Sequence, residues 1–352
     1  MNRLLKILLL VAVAVGVVAV VASRRGHAAS PENVVAAAPA MSMTAAEHME
    51  HLKAMSAAGD IHAGHALDEF ARGVAQAAPA NAKLPADDMG VVARLASSPR
   101  KGEYVNVMVD GKPMRTWVVH PAGNGKAPVV VVIMEIFGLS DWIRGVADQL
   151  AAEGFIAIAP DIVVGHGKDG GDTTSLNGAP QAETMQAILS IPGPEIIGKL
   201  KAAREFGLKD ARSNGKSASI GFCFGGAQSF AFAVAEPKLN AAVVYYGQAP
   251  TDAPAAARGT PPGPYVVSDS VANVKAPIIG FYGGLMQDAR VGNSVAPTEA
   301  KMKSLGKTYD PHMFDGAAHG FLRAQTGNDG ANMKATEQAW PLTIAWLKKY
   351  TS

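Results

Sequence analysis

From Ala127 to Glu135 the chain reads APVVVVIME, an apolar run with no polar alternate. A strand with one wet face alternates apolar and polar residues. One that does not alternate is covered on both faces, as inside a parallel sheet. Parallel neighbours need crossover connections, usually helices lying on the sheet. This run therefore predicts strands alternating with helices, and the chain around it has that form. DWIRGVADQLAAEG carries helical spacing and stops at Gly154, FIAIAPD is a second buried strand, and Glu195 to Gly207 is a further helix. SASIGF, AAVVYYG and APIIGFYGG read as strands, with GGAQSFAFAVAE a helix between the first two. TEAKMKSLG, KTYDPHMF and EQAWPLTIAWLKKY follow as helix, strand and helix. Ahead of them, GEYVNVMVDGKPMRTWVVHP alternates and turns at Asp110-Gly111, a hairpin signal. Ile162 to about Pro194, and Gln248 to Val274, are expected to be long loops. The fold class is α/β: a mostly parallel, doubly wound sheet with helices on both faces.

Residues 96–352 suit one domain of this kind, and a hydrophobic fraction of 48% is enough for its core. Formal net charge is +2, without the clustered basic face that nucleic acid requires as a partner. A single cysteine excludes an intrachain disulfide. Residues 30–95 are rich in Ala, Pro, Met and His and read as a flexible tether, with one short helix over MTAAEHMEHLKAMSAAGD. Within it HMEH and HAGH space histidines at i, i+3 near Met41, Met43, Met49 and Met55. Imidazole with thioether suits copper, but a solvated low-complexity tether is the simpler reading, and no metal site is assigned. In residues 1–29, Arg3 and Lys6 precede an uncharged apolar run from Ile7 to Ser23, followed by Arg24 and Arg25. That pattern is an export signal or an uncleaved membrane anchor. The expected location is periplasmic or secreted, with membrane contact only through the N-terminal segment, residues 4–23.

SIGFCFGGAQ, from Ser219 to Gln228, joins a predicted strand to a predicted helix and centres on Cys223. Small residues at Gly221, Gly225 and Gly226 permit a sharp turn that lifts a nucleophile above the sheet. Phe224 then opens a helix, where backbone donors and the dipole favour negative charge. The other reading of Cys223 is a small hydrophobe between glycines. The Lys-Ser/Thr ending of a phosphate-binding loop is missing. In α/β hydrolases the chain order is nucleophile, acid, histidine. Only His312 and His319 follow Cys223. His312 lies within the predicted strand YDPHMF and reads as structural, whereas His319 lies in the small-residue loop DGAAHGF and reads as the base. Asp288, at the carboxyl end of the strand APIIGFYGG, is the candidate acid, and Asp315 is its rival.

Together these residues resemble the dienelactone hydrolase (carboxymethylenebutenolidase) family, over about Tyr104 to Tyr350. The likeness rests on EIFG with a following arginine (Glu135 to Gly138, then Arg144), the Cys223 elbow, DARV from Asp288 to Val291, and GAAHGFLR from Gly316 to Arg323. It implies an α/β-hydrolase fold with Cys223 as nucleophile, His319 as base and Asp288 as orienting acid. It further implies that Glu135 contacts the cysteine and takes or holds its proton, and that Ile136 and Phe224 supply oxyanion-hole amides. Arg323 would hold a substrate carboxylate, with Arg144 also at the substrate site. On its sequence position alone, Glu135 would equally cap a turn or pair with Arg144. There is one departure. The family's second carboxylate-holding arginine has no counterpart between Ile162 and Pro194, where Lys168 is the only cation.

The expected activity is hydrolysis of a small-molecule lactone or ester through a cysteine nucleophile and a thioester acyl-enzyme, with no cofactor and no metal. A general small-ester carboxylesterase, and a non-catalytic periplasmic binding protein on the same fold, are the alternatives.

Overall fold

The hairpin and the buried runs assemble into a single eight-stranded sheet in a computed structural model that describes residues 81–252 and 264–352. The strands are β1 (Glu103–Val109), β2 (Lys112–Val119), β3 (Ala127–Ile133), β4 (Ile156–Pro160), β5 (Ser213–Phe222), β6 (Ala241–Tyr245), β7 (Ile278–Gly283) and β8 (Tyr309–Phe314). Their order is β1-β2-β4-β3-β5-β6-β7-β8. β2 pairs antiparallel with β1 and with β4, and every other pairing is parallel. The β1–β2 turn uses Asp110 and Gly111 at φ 47° and 78°, the two positive values a tight hairpin turn needs to match strand twist. The helices are α1 (Val91–Ser97), α2 (Asp141–Ala152), α3 (Gln181–Leu189), α4 (Gly193–Leu208), α5 (Phe224–Ala235), α6 (Ala289–Gly292), α7 (Val295–Ser304) and α8 (Ala331–Thr351).

β5 shows how the central strands are covered on both faces. Its Ser217 and Ser219 hydroxyls bond Arg204 of α4 and Ser229 of α5, at 2.7 and 2.8 Å. Phe222, of opposite parity, packs edge-on against Trp142 of α2 and beside Tyr245, whose hydroxyl meets Thr343 of α8 at 2.7 Å. Successive residues of a strand point to opposite faces. Both faces of β5 are therefore covered, one by α4 and α5, the other by α2 and α8. Val129 to Ile133 of β3 are fully buried for the same reason.

The chain leaves β3 for β4 on one side and returns as β5 on the other. At such a reversal the loops after the two strands part, and the crevice at their carboxyl ends is where α/β sheets place their chemistry. Glu135 follows β3 and Cys223 follows β5, so both flank this crevice.

The structure corrects two expectations about boundaries. The segment from Ile162 to Pro194 is not all loop: it holds α3, which buries only Ile188 and leaves Leu189 exposed, and so lacks the apolar stripe that marks a helix. The packed chain also begins well before residue 96. Leu84 and Val91 are buried, Trp142 donates its indole N–H to the Ala86 carbonyl at 3.1 Å, and Gln325 donates to the Pro85 carbonyl at 2.9 Å. Two apolar side chains and a set of backbone contacts hold this strap, and composition does not reveal that kind of anchoring. The export or anchor segment 1–29, the rest of the tether to residue 80 and the His/Met cluster from His27 to His65 lie outside the described residues.

Candidate active site

Cys223 occupies the turn between β5 and α5 at φ 54°, ψ −114°, a region a non-glycine residue enters only at a cost of about 1–3 kcal/mol. The neighbouring chain enforces that conformation. The Cys223 N–H donates to the Tyr245 carbonyl at 3.0 Å, and the Cys223 carbonyl accepts from Ala227 as the helix begins, at 3.2 Å. A Cβ on Gly221 would lie 1.9 Å from the Gly225 carbonyl oxygen, and one on Gly225 would lie 2.3 Å from that of Ile133. Backbone packs on backbone at both points, so no larger residue fits. The start of α5 is thereby seated against the Ile133 and Met134 carbonyls, one residue short of Glu135. Phe224 is the first residue of α5, so its N–H has no partner within the helix.

The turn carrying Glu135 and Ile136 is pinned from the segment after β4. Asp161, fully buried, accepts from the Thr173 hydroxyl at 2.7 Å and from its N–H at 3.0 Å; the Thr173 oxygen accepts from the Leu139 N–H at 3.1 Å. Sequence reasoning missed this brace, although Asp161 ending the strand FIAIAPD was the visible signal.

Asp288 and His319 meet. His319 Nδ1 lies 2.7 Å from Asp288 Oδ2, with the carboxylate only 7% exposed. One hydrogen bond joins their loops, and two more brace the His319 loop on α8. The Gly284 N–H donates to the Ala317 carbonyl at 2.9 Å, and Asn332 of α8 accepts from the Ala318 N–H at 2.9 Å while donating to the Ala324 carbonyl at 2.7 Å. Asp315, the rival acid, is exposed. His312 stacks on Phe281, with centroids 5.5 Å apart, inside β8. With Nδ1 engaged, Nε2 is the ring atom left for the Cys223 sulfur, which acts electrostatically on this ring. Burial pulls the His319 pKa down, but the pull of Asp288 and Cys223 on its proton outweighs it and raises it to about 9.

Glu135 is 2% exposed, and burial raises its pKa against the opposing pull of the Arg323 guanidinium. Arg323 Nε stands 3.2 Å from Glu135 Oε2. Neither atom makes an aligned hydrogen bond, so the pair attracts as charges without a directed bond. Arg323 Nη1 also reaches Asp88 Oδ2 at 2.7 Å, and the Phe137 ring lies 4.7 Å from the guanidinium carbon. Tyr246, missed from sequence, completes the surroundings. It is fully buried at φ 38°, its ring centroid is 5.1 Å from that of His319, and its hydroxyl has no partner. Burial and the Glu135 charge hold that hydroxyl well above the usual phenol range. The second aromatic of AAVVYYG, placed where a strand meets a glycine, was the available signal.

Arg144 does not join this group. Its guanidinium pairs with Asp141 and lies over the Trp117 ring, 5.1 Å from the centroid, on the β1–β2 side of the sheet. From the first turn of α2 its own side chain reaches the hairpin, so it is not the partner of Glu135. Among the described residues no group of three or more His, Cys, Asp or Glu is placed to hold a metal ion.

The strand order, with Cys223, Asp288 and His319 carried past the carboxyl ends of β5, β7 and β8, is that of an α/β hydrolase. Within that class the chain belongs to the dienelactone hydrolase family, whose sequence profile matches residues 114–351. It is 28% identical over 257 residues to "Putative carboxymethylenebutenolidase" of Methylorubrum extorquens, covering 71% of this chain and 81% of that one. It is 27% identical over 252 residues to "Probable 2-oxo-3-(5-oxofuran-2-ylidene)propanoate lactonase" of Bradyrhizobium sp, covering 70% and 93%. Among solved structures, "Putative Dienelactone Hydrolase" from Klebsiella pneumoniae superposes with a TM-score of 0.60 at 21% identity, covering 71% of this chain and 99% of that one, a likeness of fold. The protein is a hydrolase of this family.

Proposed function

We propose that the protein hydrolyses a lactone or small ester through Cys223. The observation that carries this reading is the 2.7 Å His319–Asp288 pair at the sheet crevice, with Cys223 on the strained turn after β5 and acting on the same ring. In the reaction the sulfur, its proton passed to His319 or Glu135, attacks the carbonyl carbon. The carbonyl oxygen becomes an oxyanion that accepts from the Ile136 and Phe224 N–H groups. Collapse of this adduct breaks the C–O bond, and the His319 proton goes to the departing oxygen. Water, deprotonated by His319, then cleaves the thioester and releases the sulfur. Asp288 holds the ring in one tautomer and balances its charge. A carboxyl held in a dry site beside Arg323, as Glu135 is, suits brief custody of a proton. The names of the relatives, a carboxymethylenebutenolidase and a lactonase, agree with an ester bond within a ring as the target.

Cys223→Ala is expected to abolish hydrolysis of p-nitrophenyl esters and lactones while leaving the far-UV circular dichroism unchanged. Intact-mass measurement of the wild type during turnover of a slow ester should show one acyl adduct. Wild-type rates in the alanine variant would refute the nucleophile. We further propose that residues 1–29 direct export. A reporter fused after residue 29 should be found outside the cytoplasm, and a cytoplasmic reporter would refute it.

A further inference from the structure

Arg323 is the cation expected to grip a substrate carboxylate, yet it meets two protein carboxylates already. A guanidinium offers a carboxylate two parallel-donor edges, Nε with Nη2 and Nη1 with Nη2. Glu135 stands 3.2 Å from Nε without an aligned hydrogen bond, and Asp88 accepts from Nη1 at 2.7 Å, so a protein carboxylate lies against each edge. Phe137 lies against the face of the same group.

Asp88 is built into this position. Its own N–H donates to the Arg323 carbonyl at 3.0 Å, so backbone and side chain grip one residue. The strap around it is fixed by Gln149 to the Ala82 carbonyl at 3.2 Å, Gln325 to Pro85 and Trp142 to Ala86. The Asp88 side chain is 50% exposed whereas that of Glu135 is 3% exposed, which puts Asp88 on the solvent side of Arg323. An arriving carboxylate would approach from the side where Asp88 presents like charge. Lys168, the only cation between Ile162 and Pro194, is exposed.

We propose that Asp88 is a specificity residue: by closing the anion-accepting face of Arg323 it makes the site select acyl groups that carry no carboxylate. The proposal rests on the hydrolase reading above. Like charges set against each other in a site reject the wrong partner, here by roughly tenfold or more.

The test uses the full chain and a matched pair of substrates: mono-4-nitrophenyl glutarate, which is anionic, and its methyl-capped diester, which is neutral. The readout is the ratio of kcat/KM for the anionic over the neutral ester. A ratio measured within one enzyme is independent of its active fraction, so partial misfolding of a variant does not mask the answer. Wild type should favour the neutral ester. Asp88→Asn, and Asp88→Ser as a second variant, should raise the ratio about tenfold. In an Arg323→Ala background the same substitutions should leave it unchanged. A ratio unaltered by both Asp88 substitutions, or a wild type that prefers the anionic ester, overturns this proposal while leaving the hydrolase reading intact. A wild type no faster than Cys223→Ala on both esters overturns the hydrolase reading and takes this proposal with it.

Discussion

At the scale of single residues, the two histidines after the elbow divide by environment. His319 shares its ring between Asp288 and Cys223, whereas His312 sits in β8 with its ring flat on Phe281. His319→Ala is therefore expected to lower kcat at least about a hundredfold, the usual loss when a general base goes. His312→Ala should cost about 1 kcal/mol of stability from the lost ring contact and leave kcat within a few-fold. Steady-state kinetics beside a denaturant melt checks both, and the reverse outcome would exchange the roles. The placement of these two residues was legible because a strand histidine has fixed neighbours and a loop histidine between small residues does not. Tyr246 was not legible. Its importance comes from an unpartnered hydroxyl facing Glu135, and nothing local in AAVVYYG records what lies across the crevice.

At the scale of elements, the strands were readable and the strap was not. Strands covered on both faces are mostly apolar, so β3, β4, β6 and β7 announce themselves by composition, and the buried serines of β5 need hydrogen-bond partners. The strap, residues 81–97, is held by carbonyl oxygens that any residue type would supply. Arg323 and its partner Asp88 are 235 positions apart, beyond the reach of any periodicity. Arg144 shows the converse: a motif placed it near Glu135 in sequence, but from the first turn of α2 its side chain reaches Trp117 of the hairpin. The strap matters energetically. Removing residues 1–97 exposes the surfaces under Leu84 and Val91, each worth about 1.5–3 kcal/mol. Such a chain should therefore melt at a clearly lower temperature than one beginning at residue 81. Equal melting temperatures would show that the strap adds nothing to the fold.

At the scale of the whole molecule, the site links stability to pH. The His319 pKa is raised to about 9 in the folded protein, from an ordinary 6.5. A group whose pKa rises on folding contributes its full stabilisation below the unfolded value and loses it as pH climbs through the folded one. The advantage of wild type over His319→Gln should thus be largest at pH 6 and shrink toward pH 9.5, by up to ~3 kcal/mol. Thermal melts of both proteins across that range decide it. A gap that stays constant would mean the ring gains no proton affinity on folding.

The same long span between Asp88 and Arg323 has a temporal meaning. A ribosome delivers the strap first and the residues that secure it last, since Pro85 waits for Gln325, 240 positions on. Through most of synthesis the strap has nothing to dock on. β8, α8 and the His319 loop must be in place before it can close over Arg323. Contacts this distant form late, because the cost of closing so long a loop is repaid only when both ends are already organised. The finished crevice is therefore a record of completed folding. Intermediates that have built the central sheet but not received the strap would hold Arg323 against Glu135 alone, and would meet a different set of molecules than the mature protein does.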